Sequence, residues 1–221
     1  MISAAPCGSG ITVLCLNTDF LEDNTAFREV LSKASPARLE RITVLKRPRD
    51  KRLSLGVSAL VNHYLFDLGI TETEAGFSYC ENGKPFFSNL DLSFSISHSG
   101  HYALCAFLYG KTRIGCDIEK IPLDKDIEKL AKRFFSGKEY SAVMSSNDKY
   151  AEFTSIWVKK ESHFKAFSST GTNTYADTSV IPKNMSKDIF WQKDFTGSDG
   201  SYKIAICCDN ISGVVFKEIF I

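Results

Sequence analysis

Short apolar runs alternate with amphipathic stretches along the chain, and this pattern predicts a mixture of strands and helices. Ile11–Asn17 is a run of apolar and β-branched residues of strand length. Residues 92–97 and 102–108 are two further runs around a His-Ser-Gly-His turn and predict a hairpin, and residues 112–119 predict the next strand. Because strands and helices do not alternate strictly, we expect the α+β class.

Helical periodicity is strongest in two long segments. Residues 51–68 carry an apolar stripe, with Asp50 as the predicted N-cap. Residues 150–167 contain neither Gly nor Pro, and their bulky apolar side chains fall on one broad side. Ser136 is followed three positions later by Glu139, a capping-box pattern that predicts the start of another helix.

The composition is typical of a globular protein with a packed core. The 221 residues are 43% hydrophobic and 24% charged, with a formal net charge of +1. Nucleic-acid-binding proteins usually carry a basic surplus, so we expect no nucleic-acid partner and only local anion sites. The 7 Cys are scattered without a CxxC pair, which favours reduced thiols in a cytoplasmic protein. No signal peptide or long apolar run is visible, so we expect no membrane partner.

Two carboxylates lie close together in residues 114–119, with the sequence IGCDIE. Because side chains alternate along a strand, Asp117 and Glu119 are predicted to share one face, about 7 Å apart, while the apolar residues between them point into a core. Adjacent carboxylates raise each other's pKa unless a cation lies between them. Hard oxygen ligands of this kind suit Mg²⁺. The alternative is an ordinary edge strand with a solvent face, because such alternation is common.

A charged pair lies on the last predicted long helix. Glu161 and Lys165 are four residues apart, so they are neighbours on one helix face, and Trp157 lies one turn earlier. By itself the pair is typical of a surface ion pair worth about 0.3–0.5 kcal/mol.

The hairpin turn carries hydroxyls and an imidazole next to backbone N–H groups. Ser97, His98 and Ser99 occupy this turn, and such a turn can hold a phosphate. Two alternatives stay open. One is a nucleophilic Ser97 or Ser99 with His98 as its base, although the Gly-x-Ser-x-Gly elbow is absent. The other is a plain hairpin turn.

The order and spacing of these motifs resemble the surfactin-type 4′-phosphopantetheinyl transferases, which are two-lobed monomers. That family carries a Gly-x-Asp-x-Glu element followed downstream by Trp-x-x-Lys-Glu-[Ser/Ala]-x-x-Lys. The matching segments here are residues 115–119 and 157–165, preceded by Gly-Lys-Pro at 83–85 and Ser-His-Ser at 97–99. The resemblance extends from about residue 39 to residue 167.

The resemblance implies transfer of the 4′-phosphopantetheine arm of coenzyme A to a serine of an apo acyl, peptidyl or aryl carrier protein, with release of 3′,5′-ADP. It implies two similar α/β lobes related by a pseudo-twofold axis, with the active site between them. Residues 1–109 would form the lobe that contacts the nucleotide, and residues 110–221 the lobe with the metal site and the catalytic helix. A Mg²⁺-dependent (or Mn²⁺-dependent) cytoplasmic monomer of fatty-acid, polyketide or nonribosomal-peptide biosynthesis is expected.

The same resemblance assigns roles to individual residues. Glu161, Lys165 and Asp117 are expected to be catalytic, with Glu161 as the general base. The expected metal ligands are Asp117, Glu119 and Glu161. The expected coenzyme A-binding residues are Arg41, Lys84, Ser97, His98, Lys160 and Lys165. Two other functions remain open, a metal-dependent phosphohydrolase and a non-catalytic homologue that binds carrier proteins.

Overall fold

A computed structural model describes residues 10–81, 83–167, 190–210 and 212–220. The strands are β1 (Ile11–Asn17), β2 (Phe77–Tyr79), β3 (Pro85–Phe87), β4 (Leu92–Ser99), β5 (Tyr102–Tyr109), β6 (Ile114–Lys120), β7 (Phe190–Gly197), β8 (Gly200–Cys208) and β9 (Val214–Ile219). The helices are α1 (Asn24–Ser32), α2 (Pro36–Val44), α3 (Pro48–Phe66), α4 (Ile127–Phe134), α5 (Gly137–Ser145) and α6 (Lys149–Phe167). The mixture confirms the α+β class.

The described strands form three sheets. The largest has the order β4-β5-β1-β9, a second has the order β6-β8-β7, and β2 pairs with β3. β1 runs antiparallel to β5 and parallel to β9. A strand from the end of the chain therefore completes the sheet of the first strand. The division into lobes near residue 109 stays a prediction.

Serine hydroxyls connect two strands that belong to different sheets. Alternate residues of β4, from Ser93 to Ser99, are serines, so their hydroxyls project to one side. The amide of Cys116 donates to Ser95 Oγ at 3.0 Å, and the amide of Lys120 donates to Ser99 Oγ at 3.1 Å. These bonds hold β4 beside β6, where no backbone ladder is formed between the described strands. They bring the end of the hairpin next to the carboxylates of β6.

The apolar side chains of β6 lie in a core, as the alternation predicts. Ile114, Cys116 and Ile118 are buried in a cluster with Leu104 of β5 and Ile204 of β8. Residues from β1, β5, β6 and β8 share this cluster, so the two larger sheets pack on a common apolar layer.

Two faces of α6 are buried, and only one was predicted. Phe153 and Trp157 pack against α4 and α5 in an aromatic cluster, as expected for the bulky stripe. The second face consists of small side chains four residues apart: Thr154, Val158, Ser162 and Ala166. This face lies on β6, where a Cβ atom at Gly115 would be only 2.0 Å from the carbonyl oxygen of Ser162. Glycine at 115 therefore sets how closely the helix approaches the strand.

Several boundaries differ from the predictions for local reasons. α3 begins at Pro48 with Arg47 as its N-cap, not at Asp50, because Pro is well suited to the first helical position. β7 was not predicted, since Phe195 is its only buried residue. The capping box of Ser136 and Glu139 is confirmed.

The described cysteines are free, and Cys80 is the exposed one among them. Cys7 lies outside the described residues. Within residues 10–81, 83–167, 190–210 and 212–220, no helix has the length and apolar character needed to cross a membrane.

Candidate functional site

Ser97, Asp117 and Lys165 meet at one point of the structure. The hydroxyl of Ser97 donates to Asp117 Oδ1 at 2.7 Å. The ammonium of Lys165 donates to Asp117 Oδ1 at 2.8 Å, to Ser97 Oγ at 3.0 Å and to the carbonyl oxygen of Cys116 at 3.1 Å. These residues come from β4, β6 and α6, and the contact between β4 and α6 spans 68 positions of the chain. The site is therefore a product of the tertiary fold.

The Lys165 ammonium is held in its charged form. Desolvation alone would lower the pKa of Lys165, but the carboxylate of Asp117 and its hydrogen bond outweigh this effect, and the pKa is raised. Glu161 also raises the pKa of Lys165, so its carboxylate lies within electrostatic reach of the ammonium. A fixed positive charge next to a carboxylate that is only 6% exposed can attract and orient an anionic ligand.

The two carboxylates of β6 lie on the strand face that α6 covers. Burial raises the pKa of Glu119, a hydrogen bond with Ser99 opposes this, and the charge of Asp117 raises it further. The predicted repulsion between the two carboxylates is thus present at Glu119. Because Asp117 is buried, the alternative of a plain solvent-exposed face does not apply to this strand.

The donor chemistry of these carboxylates fits a divalent cation. Oxygen ligands are those that Mg²⁺ prefers, and a cation between Asp117 and Glu119 would relieve their repulsion. In the part of the chain that the structure describes, no group of three or more His, Cys, Asp or Glu is placed to hold a metal ion. The set of three ligands that includes Glu161 therefore stays a prediction.

β4 extends to Ser99, so Ser97 and His98 lie in the last part of this strand, paired with β5, and not in the turn that the sequence predicts. Desolvation, followed by the positive charge of Lys165, lowers the pKa of His98, although the residue retains an exposed surface. A mainly neutral imidazole at this position can donate a hydrogen bond to a phosphate oxygen. The Ser97 hydroxyl donates to Asp117 and the Ser99 hydroxyl accepts from Lys120, which does not match a serine nucleophile activated by His98.

Lys84 and Lys160 contact protein groups. The ammonium of Lys84 donates to the carbonyl oxygen of Lys165 at 2.6 Å and to that of Ile114 at 3.2 Å. Lys160 is 6% exposed and donates to both carboxylate oxygens of Glu139, at 3.0 and 3.2 Å. Their binding of coenzyme A stays a prediction, and no described contact brings Lys160 to Asp117.

Arg41 lies on α2, and its described contact is with an aromatic ring. Its guanidinium stacks on Tyr79 of β2, 4.8 Å from the ring centroid. One turn earlier, Arg38 is buried and pairs with the buried Glu72 at 3.0 Å. The guanidinium of Arg38 also lies over the ring of Phe77. This buried pair fixes α2 on the β2–β3 hairpin and so fixes where Arg41 can point.

A basic surface pocket of about 250 Å³ lies at the start of α3. Lys46, Lys51 and Arg52 line it together with Glu22, and Arg52 pairs with Glu22 at 3.1 Å. The signal for this pocket was the density of Lys and Arg between residues 46 and 52. Nothing in the sequence distinguished these residues from a solvated face.

The ammonium of Lys165 is a group of the kind with which proteins bind phosphates. Residues 113–207 match the model of the 4′-phosphopantetheinyl transferase superfamily. The chain is 30% identical over 175 residues to the 4′-phosphopantetheinyl transferase gsp of Aneurinibacillus migulanus, covering 78% of this chain and 71% of that protein. The protein belongs to the 4′-phosphopantetheinyl transferase superfamily.

Two other relatives match over shorter segments. The chain is 35% identical to the 4′-phosphopantetheinyl transferase Sfp of Bacillus subtilis over 149 residues, 65% of this chain and 63% of Sfp. It is 38% identical to the 4′-phosphopantetheinyl transferase HetI of Nostoc sp. over 105 residues, 45% of this chain and 44% of HetI. The chain thus spans less than half of HetI and somewhat less than two thirds of Sfp.

Proposed function

We propose that this protein transfers the 4′-phosphopantetheine arm of coenzyme A to a serine hydroxyl of an apo carrier protein, with release of 3′,5′-ADP. The observation that carries the proposal is the Lys165 ammonium, which is held between Ser97 and the buried Asp117. Membership of the superfamily supports phosphopantetheinyl transfer as the reaction at this site. We also propose two lobes with the active site between them, a proposal supported by the contact of β4 with β6 at Ser97 and Asp117.

Coenzyme A carries about four negative charges, and a chain of net charge +1 must concentrate cations locally to bind it. We assign Ser97, His98 and Lys165 to its pyrophosphate and Arg41 to its nucleotide half. The alignment of Lys165 by Asp117 supports this assignment, because its ammonium is oriented before any ligand arrives.

Phosphoryl transfer depends mainly on alignment and on stabilisation of negative charge. We propose that Glu161 accepts the proton of the carrier serine and that Lys165 stabilises the charge on the departing phosphate. Ser97 would hold the side chains of Asp117 and Lys165 in place through its two hydrogen bonds. Asp117, Glu119 and Glu161 would hold Mg²⁺, which when bound polarises the phosphoryl group and neutralises its charge.

The test is the Glu161→Gln variant, incubated with coenzyme A, Mg²⁺ and a panel of apo carrier proteins and measured by intact mass. Loss of a general base should reduce transfer by about 10²–10⁴-fold, with an unchanged circular dichroism spectrum. Glu152→Gln, at the first turn of the same helix, is the matched control and should keep its activity. Transfer at the wild-type rate by Glu161→Gln would refute the assignment. Release of phosphopantetheine without any carrier protein would indicate a hydrolase instead.

A further inference from the structure

We infer that Lys84 is a positioning residue that ties the end of α6 to the start of β6 and acts on the site through Lys165. The inference rests on the proposed function in so far as Lys165 contacts coenzyme A. It differs from the expectation that the Lys84 ammonium itself holds the ligand.

The geometry places Lys84 across the junction of two distant elements. Its ammonium donates to the carbonyl oxygen of Lys165, 81 residues away, and to that of Ile114, 30 residues away. Ile114 is the first residue of β6, and Lys165 lies in the last turn of α6. Between these carbonyls, Gly115 allows the helix backbone to approach the strand. Lys84 therefore sits where the spacing between α6 and β6 is set.

Lys165 lies in the last described turn of α6, and an ammonium near the C-terminal end of a helix is favoured by the helix dipole. The backbone and the side chain of Lys165 then have separate anchors: Lys84 binds the carbonyl, while Asp117 and Ser97 bind the ammonium. Without the bond from Lys84, the backbone of Lys165 should be able to move, and its side chain would move with it.

Direct binding of a phosphate by Lys84 would compete with these bonds. An ammonium has three donors, and two of them point at backbone carbonyls at 2.6 and 3.2 Å. The side chain is half-buried, and burial lowers the pKa of Lys84.

The first experiment measures amide hydrogen exchange in the full-length protein without ligand. Lys84→Met should accelerate exchange in peptides covering residues 160–167, whereas Lys111→Met, at an exposed lysine of the β5–β6 turn, should not. Unchanged exchange in Lys84→Met would overturn the inference. If Lys84→Met fails to fold by circular dichroism, Lys84→Gln, which keeps a neutral donor, replaces it here and in the binding experiment below.

The second experiment is a double-mutant cycle on the dissociation constant of coenzyme A, measured by titration calorimetry. If Lys84 acts through Lys165, Lys84→Met should weaken binding by about 2-fold or more in the wild-type background, since coupled neighbours interact by about 0.5–3 kcal/mol. In a Lys165→Met background, Lys84→Met should cause no further loss of affinity. The conservative single variant Lys84→Arg should bind coenzyme A as the wild-type protein does. Multiplicative effects of the two substitutions would place Lys84 on the ligand and overturn the inference. If the wild-type protein binds no coenzyme A, the proposed function and the effect on the site fail together, while the exchange experiment still decides whether Lys84 anchors the helix.

Discussion

The contact at Gly115 gives the sharpest prediction about how this site is built. A Cβ atom added at Gly115 would lie 2.0 Å from the carbonyl oxygen of Ser162 and 2.6 Å from the amide nitrogen of Ala166. Both contacts are with backbone atoms of α6, so no side chain can rotate away to relieve them. The φ angle of Gly115 is not in the left-handed region, so the effect of Gly115→Ala should come from this contact alone.

The magnitude follows from the distances. Favourable contacts between carbon atoms have a separation of about 3.5–4.0 Å, so α6 must move away from β6 by about 1 Å or more. Overpacking of a well-packed interface costs about 1–3 kcal/mol, which lowers Tm by about 2–4 °C per kcal/mol in a chain of this size. Lys165 and Glu161 move with the helix, and a displacement of about 1 Å can reduce a rate about 10²-fold.

The loss of stability in Gly115→Ala is measured by thermal unfolding, followed by circular dichroism. The loss of transfer is measured by carrier-protein modification, followed by intact mass. Gly137→Ala is the matched control, because a Cβ atom there meets nothing within 4 Å. It should leave transfer unchanged and could gain up to about 1 kcal/mol of helix stability. Wild-type Tm and wild-type transfer in Gly115→Ala would refute the argument that this glycine sets the distance between α6 and β6.

Two further predictions concern buried charges. Arg38→Met should lower the free energy of unfolding in urea by about 3–5 kcal/mol, because it leaves Glu72 buried without its cation. Lys33→Met, which removes an exposed ion pair, should cost less than about 1 kcal/mol; equal losses would contradict this account. For Glu119, burial raises the folded-state pKa, so its stability contribution is present below the unfolded-state pKa and is lost as the pH rises through the folded-state pKa. Glu119→Gln should therefore raise Tm at neutral pH in EDTA, with the gain vanishing towards about pH 4; a lower Tm at neutral pH would argue against it.

Local sequence signals determined much of the fold. The strand at Ile11–Asn17, the capping box of Ser136 and the long helix near residues 150–167 all follow from patterns within a few turns of chain. Errors arose where local signals were weak or competed. Asp50 is a good capping residue, but Pro48 starts α3 earlier. β7 buries too few residues to show a clear pattern.

The sequence by itself also determined which chemical groups are available: the paired carboxylates of β6, the Ser-His-Ser segment at 97–99 and the lysines of α6. The prediction that this segment forms the hairpin turn was wrong, because the ladder with β5 continues to Ser99. Which partner each group meets was decided by the tertiary structure alone. Lys84 bonds to backbone carbonyls and Lys160 to Glu139, while Lys165 reaches Asp117 across 48 positions. A lysine side chain is long and flexible, so many different acceptors lie within its reach. Its partner is therefore fixed only when distant elements pack and bury it beside a particular acceptor.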